Sequence, residues 1–189
     1  MSRLYLIRHA RPASTWGQGE ADPGLDLEGA RQALSVRDAL LALPRAERPT
    51  RVVSSPLRRC RETAAPLAHA LGVPVEIDAA VGEIPTPAAL APEGRAAWLK
   101  AAFGGRWGEI EGDLDYDGWR HSVAQALLAR AGAAVFSHFV AINGVVTAVE
   151  GREEVVAFRP DHASVTVLDS DGEVLTLVAK GREARTSVI

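Results

Sequence analysis

The sequence predicts an α/β fold: a three-layer sandwich with a mainly parallel central sheet and an antiparallel edge. Short apolar runs typical of buried strands alternate with longer segments in which apolar residues recur at helical spacing. Near the end of the chain, two strand-like segments flank the turn Ser170-Asp171-Gly172, a pattern typical of a hairpin. Parallel strands need crossover connections, whereas a hairpin pairs antiparallel, so this hairpin is expected to form the antiparallel edge.

The first half of the chain alternates strand-like and helix-like segments. The predicted elements are, in order, a strand at 3–8, a loop at 10–26, a helix from Glu28 to Leu43, a strand at 51–54, a helix from Ser55 to about Leu71 and a strand at 74–78. The loop is predicted from its five glycines and prolines. Pro44 and Gly72 are expected to end the two helices, and Pro66 to kink the second one.

The second half begins with the least regular part of the chain, residues 79–120, which hold three of the four tryptophans. The predicted elements are a helix from about Ala88 to Ala102, a helix from Trp119 to Leu128, a strand at 133–137, a helix from Ala141 to Val149, and hairpin strands at Ala163–Leu168 and Glu173–Val178. The pair Gly104-Gly105 is expected to break the chain after the first of these helices. We expect one domain over 1–189, in which 79–120 caps the functional site.

Composition excludes several classes of partner. Apolar residues make up 47% and charged residues 24% of the 189, as in a globular protein. The formal net charge of −3 predicts no broad surface for nucleic acid or anionic membranes. The single cysteine, Cys60, allows no intrachain disulfide, and no apolar run approaches the ~20 residues of a membrane span. A cytoplasmic protein is expected, with an unmarked bacterial export route as the alternative, and the oligomeric state is left open.

Arginine and histidine side chains follow three separate strand-like segments. Arg8 and His9 end the first strand, Arg59 comes shortly after the second, and His138 follows 133–137. Ligands of open α/β sheets bind beyond the carboxyl ends of the strands, so these side chains are expected to meet at one edge. Arginine matches phosphate oxygens with a planar fork of donors, and histidine serves as nucleophile or acid–base. The pattern therefore predicts a site for phosphoryl transfer to nitrogen.

The same residues carry a resemblance that covers most of the chain. The segments concerned are Leu6-Ile7-Arg8-His9-Ala10, Leu27-Glu28-Gly29-Ala30-Arg31-Gln32-Ala33, Ser54-Ser55-Pro56-Leu57-Arg58-Arg59-Cys60-Arg61-Glu62-Thr63-Ala64, Gly82-Glu83-Ile84 and Ser137-His138. In this order, they resemble the histidine phosphatase superfamily, also called phosphoglycerate-mutase-like. Arg8-His9 alone would be a weak signal, whereas the ordered set is specific.

The resemblance implies a role for each of five residues. His9 would be the nucleophile that becomes phosphohistidine, and Arg8 and Arg59 would bind the phosphoryl oxygens. His138 would donate to those oxygens and stabilise the transition state. Glu83 would protonate the leaving oxygen and then activate water. The implied activity is that of a metal-independent, histidine acid-type phosphatase that needs no cofactor and acts on a small phosphorylated substrate.

Three places depart from the common pattern of this family. Ala10 stands where a glycine is frequent after the histidine. The segment 139–143 replaces a glycine-rich sequence after the second histidine, which predicts a bulkier and more apolar pocket wall. The chain after Glu83 is short and lacks the insertions of the mutases, which argues against a dedicated phosphoglycerate-type mutase.

Two of the implied roles have rivals nearby in the sequence. Arg58 and Arg61 are alternatives to Arg59, although the motif spacing favours Arg59. Glu109 and Glu111 lie in a second acidic segment and are alternatives to Glu83 as the acid.

Several other residues have both a functional and a structural interpretation. His162 either lines the pocket or occupies a turn, and Asn143 either contacts substrate or caps a turn. His69 and His121 lie in predicted helices and are expected to be surface or packing residues, and the tryptophans are expected to belong to the core.

Other chemistries lack their motifs. The sequence has no Gly-x-Ser-x-Gly, no Walker loop and no His-Glu-x-x-His, and the cysteine phosphatase loop is missing around Cys60. No metal requirement is therefore expected. The leading hypothesis is a phosphomonoesterase, and the alternatives are a mutase or a non-catalytic phosphate-binding module.

Overall fold

The computed structural model describes residues 2–14 and 22–184. The strands of this part are β1 (Ser2–Arg8), β2 (Arg51–Ser54), β3 (Val75–Ile77), β4 (Ala133–Ser137), β5 (Val165–Ser170) and β6 (Leu175–Ala179). The α-helices are α1 (Leu27–Leu41), α2 (Arg58–Leu71), α3 (Arg95–Phe103), α4 (Tyr116–Leu128) and α5 (Phe139–Glu150). Across these two stretches, no helix is long and apolar enough to cross a bilayer.

The strands form one sheet in the order β3-β2-β4-β1-β5-β6. The four strands from β3 to β1 are parallel, and β5 and β6 pair antiparallel at the other edge. This confirms the predicted α/β fold with a mainly parallel sheet and an antiparallel edge from the C-terminal hairpin. The predicted loop at 10–26 is described only in part, because residues 15–21 lie outside the described chain.

Helices cover both faces of the sheet because alternate strand residues point to opposite sides. On one face, Leu4, Leu6 and Val135 pack against apolar side chains of α4 and α5. On the other face, Tyr5 and Ile7 of β1 pack against α1 and α2. Val52 of β2 and Ala134 and Phe136 of β4 belong to the same cluster. Two apolar cores therefore hold the central strands in a fixed register.

That register aligns the carboxyl ends of β1, β4 and β2. Arg8 lies opposite Ser137, and the amide of His9 donates to the Ser137 carbonyl at 2.9 Å. On the other side of β4, the amide of Ser55 donates to the Phe136 carbonyl at 3.0 Å. The residues that immediately follow the three strands therefore lie side by side at one edge.

Two helices begin later than the sequence predicts. Helix α2 starts at Arg58 rather than at Ser55, because Leu57 keeps an extended backbone (φ −68°, ψ 139°). Helix α3 starts at Arg95 rather than near Ala88, because proline disfavours the helical conformation in the residue before it. Ala91, which precedes Pro92, is accordingly extended.

Two other helices begin earlier than predicted. Helix α4 starts at Tyr116 rather than at Trp119, because the Asp115 carboxylate accepts from the amide of Gly118 at 2.9 Å and caps the first turn. Helix α5 starts at Phe139 rather than at Ala141, which places His138 at its N-cap position. Helix α2 continues through Pro66 to Leu71.

The segment 79–120 packs mainly through apolar side chains. Trp107 is 1% exposed, and its indole N–H donates to Thr147 Oγ1 of α5 at 2.9 Å. Together with Ile84 and Leu99, it forms a third apolar cluster with Phe139. Trp98 and Trp119 are partly buried against this cluster, so the tryptophans described here pack in the core, as predicted.

Gly29 allows α1 to approach the chain that follows β1. A Cβ at this position would overlap the backbone oxygen of Arg11. We expect Gly29→Ala to lower the free energy of unfolding by about 1–3 kcal/mol, because the backbone on both sides of the contact must move. Urea unfolding measures the change. Gly108→Ala, where a Cβ meets nothing within 4 Å, is the matched control and should leave the stability close to wild type.

Candidate active site

His9 is the first residue beyond β1, and its ring is held in one orientation. Its side chain is buried, and Nδ1 lies 2.9 Å from the carbonyl oxygen of Ala10. A carbonyl only accepts, so Nδ1 carries the hydrogen and Nε2 of the neutral ring keeps its lone pair. Burial, followed by the charges of His138, Arg8 and Arg59, holds the pKa of His9 well below its usual value. The ring is therefore a neutral imidazole whose basic Nε2 has no hydrogen-bond partner among the described residues.

Arg8 is the last residue of β1 and is 6% exposed. Its Nη1 donates to the carbonyl of Pro160 at 2.9 Å, and its guanidinium carbon lies 5.3 Å from the centre of the Phe139 ring. Within the described chain, its buried Nε has no hydrogen-bond partner. Burial lowers the pKa of Arg8 to about 10, so the group remains charged at neutral pH.

Arg59 enters the same site from the first turn of α2 and is 7% exposed. Its Nη2 lies 3.4 Å from His138 Nδ1, and its Nη1 lies 3.8 Å from a carboxylate oxygen of Asp22. Its rivals are exposed residues of the same helix. Arg58 is exposed and pairs with Glu62 at 2.7 Å, and Arg61 is also exposed.

His138 is fully buried between β4 and α5. The centre of its ring lies 5.3 Å from that of His9. Its Nε2 is 2.7 Å from the hydroxyl oxygen of Ser55 and 3.4 Å from the sulfur of Cys60. Burial and the nearby guanidinium groups hold the pKa of His138 well below its usual value. Its Nδ1 is directed towards Arg59 and the site.

Glu83 lies just beyond a short 3-10 turn, Ala79–Val81, and reaches the same site. Its Oε2 lies 3.9 Å from His138 Nδ1, and its side chain is 7% exposed. Burial raises the pKa of this carboxyl, although the Ile84 amide and the guanidinium groups of Arg59, Arg95 and Arg8 oppose the shift.

Glu109 and Glu111, the alternative acids, are both exposed on the segment 79–120. Glu83 is thus the acidic candidate whose carboxyl the structure places beside His138.

His162 and Asn143, which each had a functional and a structural interpretation, have different roles in the structure. The ring centre of His162 lies 5.7 Å from that of His9, so His162 lines the site. Asn143 is instead occupied by the backbone, because its Oδ1 accepts from the amides of Ala157 and Phe158 at 2.8 and 3.2 Å. His69 and His121 are exposed, in agreement with a surface position.

Sequence reasoning missed three side chains around this site. Ser55 follows β2 just as His9 follows β1, and that position at a strand end was the available signal. Arg95 of α3 approaches Glu83 closely enough to affect the pKa of its carboxyl. Asp22 accepts from the amide of Arg58 at 2.9 Å as well as facing Arg59. Nothing local in the sequence marks these last two residues.

The arrangement is suited to hold an anion against an imidazole. Two buried guanidinium groups provide donors, and α5 begins at Phe139, so the positive end of its dipole lies beside His138. Within residues 2–14 and 22–184, no group of three or more His, Cys, Asp or Glu side chains is arranged to hold a metal ion. A neutral basic nitrogen, two arginines and a carboxyl of raised pKa are the groups needed to cleave a phosphate ester.

A mainly parallel sheet with buried arginines and histidines at its carboxyl edge is typical of a phosphate-handling α/β protein. Residues 4–182 match the model of the histidine phosphatase superfamily (branch 1). The chain therefore belongs to the histidine phosphatase superfamily, as the sequence motifs predict. No match was found among curated proteins.

Solved structures of phosphatases share the fold over nearly the whole chain. A mycobacterial glucosyl-3-phosphoglycerate phosphatase is 22% identical, covers 97% of this chain and 100% of its own, and gives a TM-score of 0.70. A phosphoserine phosphatase from Entamoeba histolytica, solved with 3-phosphoglyceric acid, is 21% identical, covers 98% of both chains and gives a TM-score of 0.73. A candidate alpha-ribazole-5'-P phosphatase from Escherichia coli is 19% identical over 98% of both chains, also with a TM-score of 0.73.

The hydrogen bond between Ser55 and His138 is expected to contribute measurably to stability. Ser55→Ala would leave a buried imidazole nitrogen without its oxygen partner, so the free energy of unfolding should fall by about 1–3 kcal/mol. Urea unfolding followed by tryptophan fluorescence measures it. Ser35→Ala, on the exposed side of α1, is the control. An equal change in the two variants would contradict a specific role for the Ser55 hydroxyl.

Proposed function

We propose that the protein is a metal-independent phosphomonoesterase of the histidine acid type that works through a phosphohistidine on His9. The observation that carries this proposal is the distance of 5.3 Å between the rings of His9 and His138, with buried Arg8 and Arg59 beside them. The guanidinium groups bind the oxygens of a phosphate ester and neutralise its charge.

In the first step, the lone pair of His9 Nε2 attacks phosphorus. The bond between phosphorus and the ester oxygen breaks as the new N–P bond forms. Protonated Glu83 gives its proton to the leaving oxygen, which departs as an alcohol. Arg8, Arg59 and His138 stabilise the charge on the three remaining oxygens.

In the second step, a water molecule replaces the alcohol. Glu83, now a carboxylate, removes a proton from the water as its oxygen attacks phosphorus. The N–P bond breaks, inorganic phosphate leaves, and His9 and protonated Glu83 are restored. Each proton and electron pair is thus returned, and the reaction requires no further reactant.

We also propose that residues 79–120 cap this site within a single domain and help to select a small phosphorylated substrate. Arg95 of α3 faces Glu83, and Phe103 of the same helix lies 5.2 Å from Phe139 between ring centres, which supports this position. The buried, unpaired Cys60 supports action in the reducing cytoplasm.

Replacing the nucleophile should remove catalysis. We expect His9→Ala to lower kcat/KM for a chromogenic phosphate ester by at least about 10³-fold, because the covalent route is lost. In the wild type, labelled substrate quenched in alkali should leave phosphate on His9, since phosphohistidine survives alkali and is lost in acid. Adding a chelator should leave the rate unchanged.

The matched control for this experiment is His69→Ala, which removes an exposed imidazole from α2. Wild-type turnover by His9→Ala would overturn the proposal. A second assay offers 3-phosphoglycerate with water as the competing acceptor. Release of inorganic phosphate supports the hydrolase, whereas transfer to another hydroxyl would indicate a mutase. Tight vanadate binding without turnover of any substrate would indicate a binding module.

The pH dependence of kcat/KM should report the two perturbed groups. His9 must be neutral, and its lowered pKa keeps it so in mildly acidic solution, so the acid limb should lie well below the usual histidine range. Glu83 must be protonated, so the rate should fall as pH rises through its raised pKa.

Glu83→Gln should abolish this basic limb and lower the maximum by about 10²–10⁴-fold, the usual contribution of a positioned acid–base group. Glu109→Gln is the matched control, because Glu109 is exposed on the segment 79–120. A basic limb that survives in Glu83→Gln but disappears in Glu109→Gln would assign the acid to Glu109 instead.

A further inference from the structure

We infer that His162 is a further phosphoryl-binding residue, which donates a hydrogen bond to an oxygen of the group that His9 attacks. The inference rests on the proposed function for the identity of the anion. His162 lies in the segment 160–164, the last part of the loop that connects α5 to β5. Its position depends on how this segment is attached to β1.

The segment 160–164 is attached to the end of β1 at several points. Arg8 Nη1 donates to the Pro160 carbonyl at 2.9 Å. The Ala163 amide donates to the Arg8 carbonyl at 3.1 Å, and the Arg8 amide donates to the Ser164 carbonyl at 3.2 Å. These bonds fix the backbone on both sides of His162 relative to His9.

The same segment holds a strained residue. Ala163 has a φ of 56°, the only positive φ of a non-glycine residue in the described chain. This left-handed conformation costs an alanine about 1–2 kcal/mol, and such strain persists where the surrounding structure imposes it. The hydrogen bonds to Arg8 impose the left-handed conformation on Ala163, so the residue next to His162 is held in an energetically unfavourable conformation.

The ring of His162 is half-buried, and its centre lies 5.7 Å from that of His9. In the described part of the chain, the only hydrogen bond of this residue is from its backbone amide to the Asp161 carboxylate, at 2.8 Å. Both ring nitrogens are therefore available to a ligand. Burial and the charge of Arg8 lower the pKa of His162 to about 4, so at neutral pH the ring has one donor and one acceptor.

These properties favour a contact with the phosphoryl group over simple packing. In the proposed reaction His9 attacks phosphorus, so the phosphoryl oxygens are the substrate atoms nearest to the neighbouring ring of His162. A neutral donor adds a hydrogen bond to an anion that Arg8 and Arg59 already neutralise. A packing role would be filled equally well by a ring without nitrogen, and this difference can be tested.

The test compares His162→Phe, which keeps a ring, with His162→Asn and His162→Gln, which keep an N–H donor. Vanadate, a mimic of the phosphoryl group in transfer, is the probe, and its dissociation constant is measured by calorimetry. We expect His162→Phe to weaken vanadate binding by about ten- to a hundred-fold, as for a hydrogen bond to a charged group. At least one of the two amide variants should retain most of the affinity.

Equal affinity of His162→Phe and wild type for vanadate would overturn the inference, and equal weakening in all three variants would overturn it too. His69→Gln controls for the loss of a histidine, and circular dichroism checks that each variant is folded. Binding of vanadate needs no turnover, so this result is separate from the labelling of His9. A contact with the leaving group instead would lower kcat/KM and leave vanadate binding unchanged.

Discussion

The register of three parallel strands is the constraint on which the site depends. β1, β4 and β2 are joined so that Arg8 lies opposite Ser137 and Ser54 lies opposite Phe136. Successive strand residues face opposite sides, so a slip of one residue would move each apolar side chain to the wrong core. The two apolar cores therefore fix the position of the residues after each strand. His9, Ser55 and His138 are close together because the cores exclude any other register.

The location of Arg8 and Arg59 in this site buries two positively charged guanidinium groups. Arg8 and Arg59 are 6% and 7% exposed, and among the described residues the Nε of each lacks a partner. Removing guanidinium groups from water is unfavourable unless an opposite charge compensates them. Among the described residues, the partial partners are a carbonyl for Arg8 and, for Arg59, the Nδ1 of His138 at 3.4 Å and a carboxylate 3.8 Å away. Packing elsewhere offsets this cost, and an anion that binds only the folded protein recovers part of it.

The sequence identified the groups that follow strands and missed those placed by tertiary packing. Arg8, His9 and His138 could be found because each lies at the end of an apolar run. Such runs predict buried strands, and ligands of α/β sheets bind beyond the carboxyl ends of those strands. Ser55 satisfies the same rule, but a serine carries less chemical signal than a histidine. Arg95 lies in a helix whose start depends on Pro92 and on the packing of the segment 79–120, and periodicity alone does not give that position.

The helix starts show the same limit at a smaller scale. Asp115 caps α4 four residues before Trp119, where the apolar pattern begins, and His138 occupies the N-cap of α5. A hydrophobic period shows where a helix packs, whereas a cap decides where it begins. For α5 the difference affects the candidate site, because a start at Phe139 directs the first amides of the helix towards it.

The segment 139–143, which departs from the family pattern, is connected to His162 through the chain between them. Phe139 lies beside the Arg8 guanidinium, and Asn143, one turn later, binds the amides of Ala157 and Phe158. The chain from Ala157 is thus held by α5, and a few residues later it is held by Arg8 through Pro160. A glycine-rich sequence would provide neither the aromatic ring nor the side-chain amide. The segment 139–143 therefore both places an aromatic ring beside Arg8 and holds the chain that brings His162 to His9.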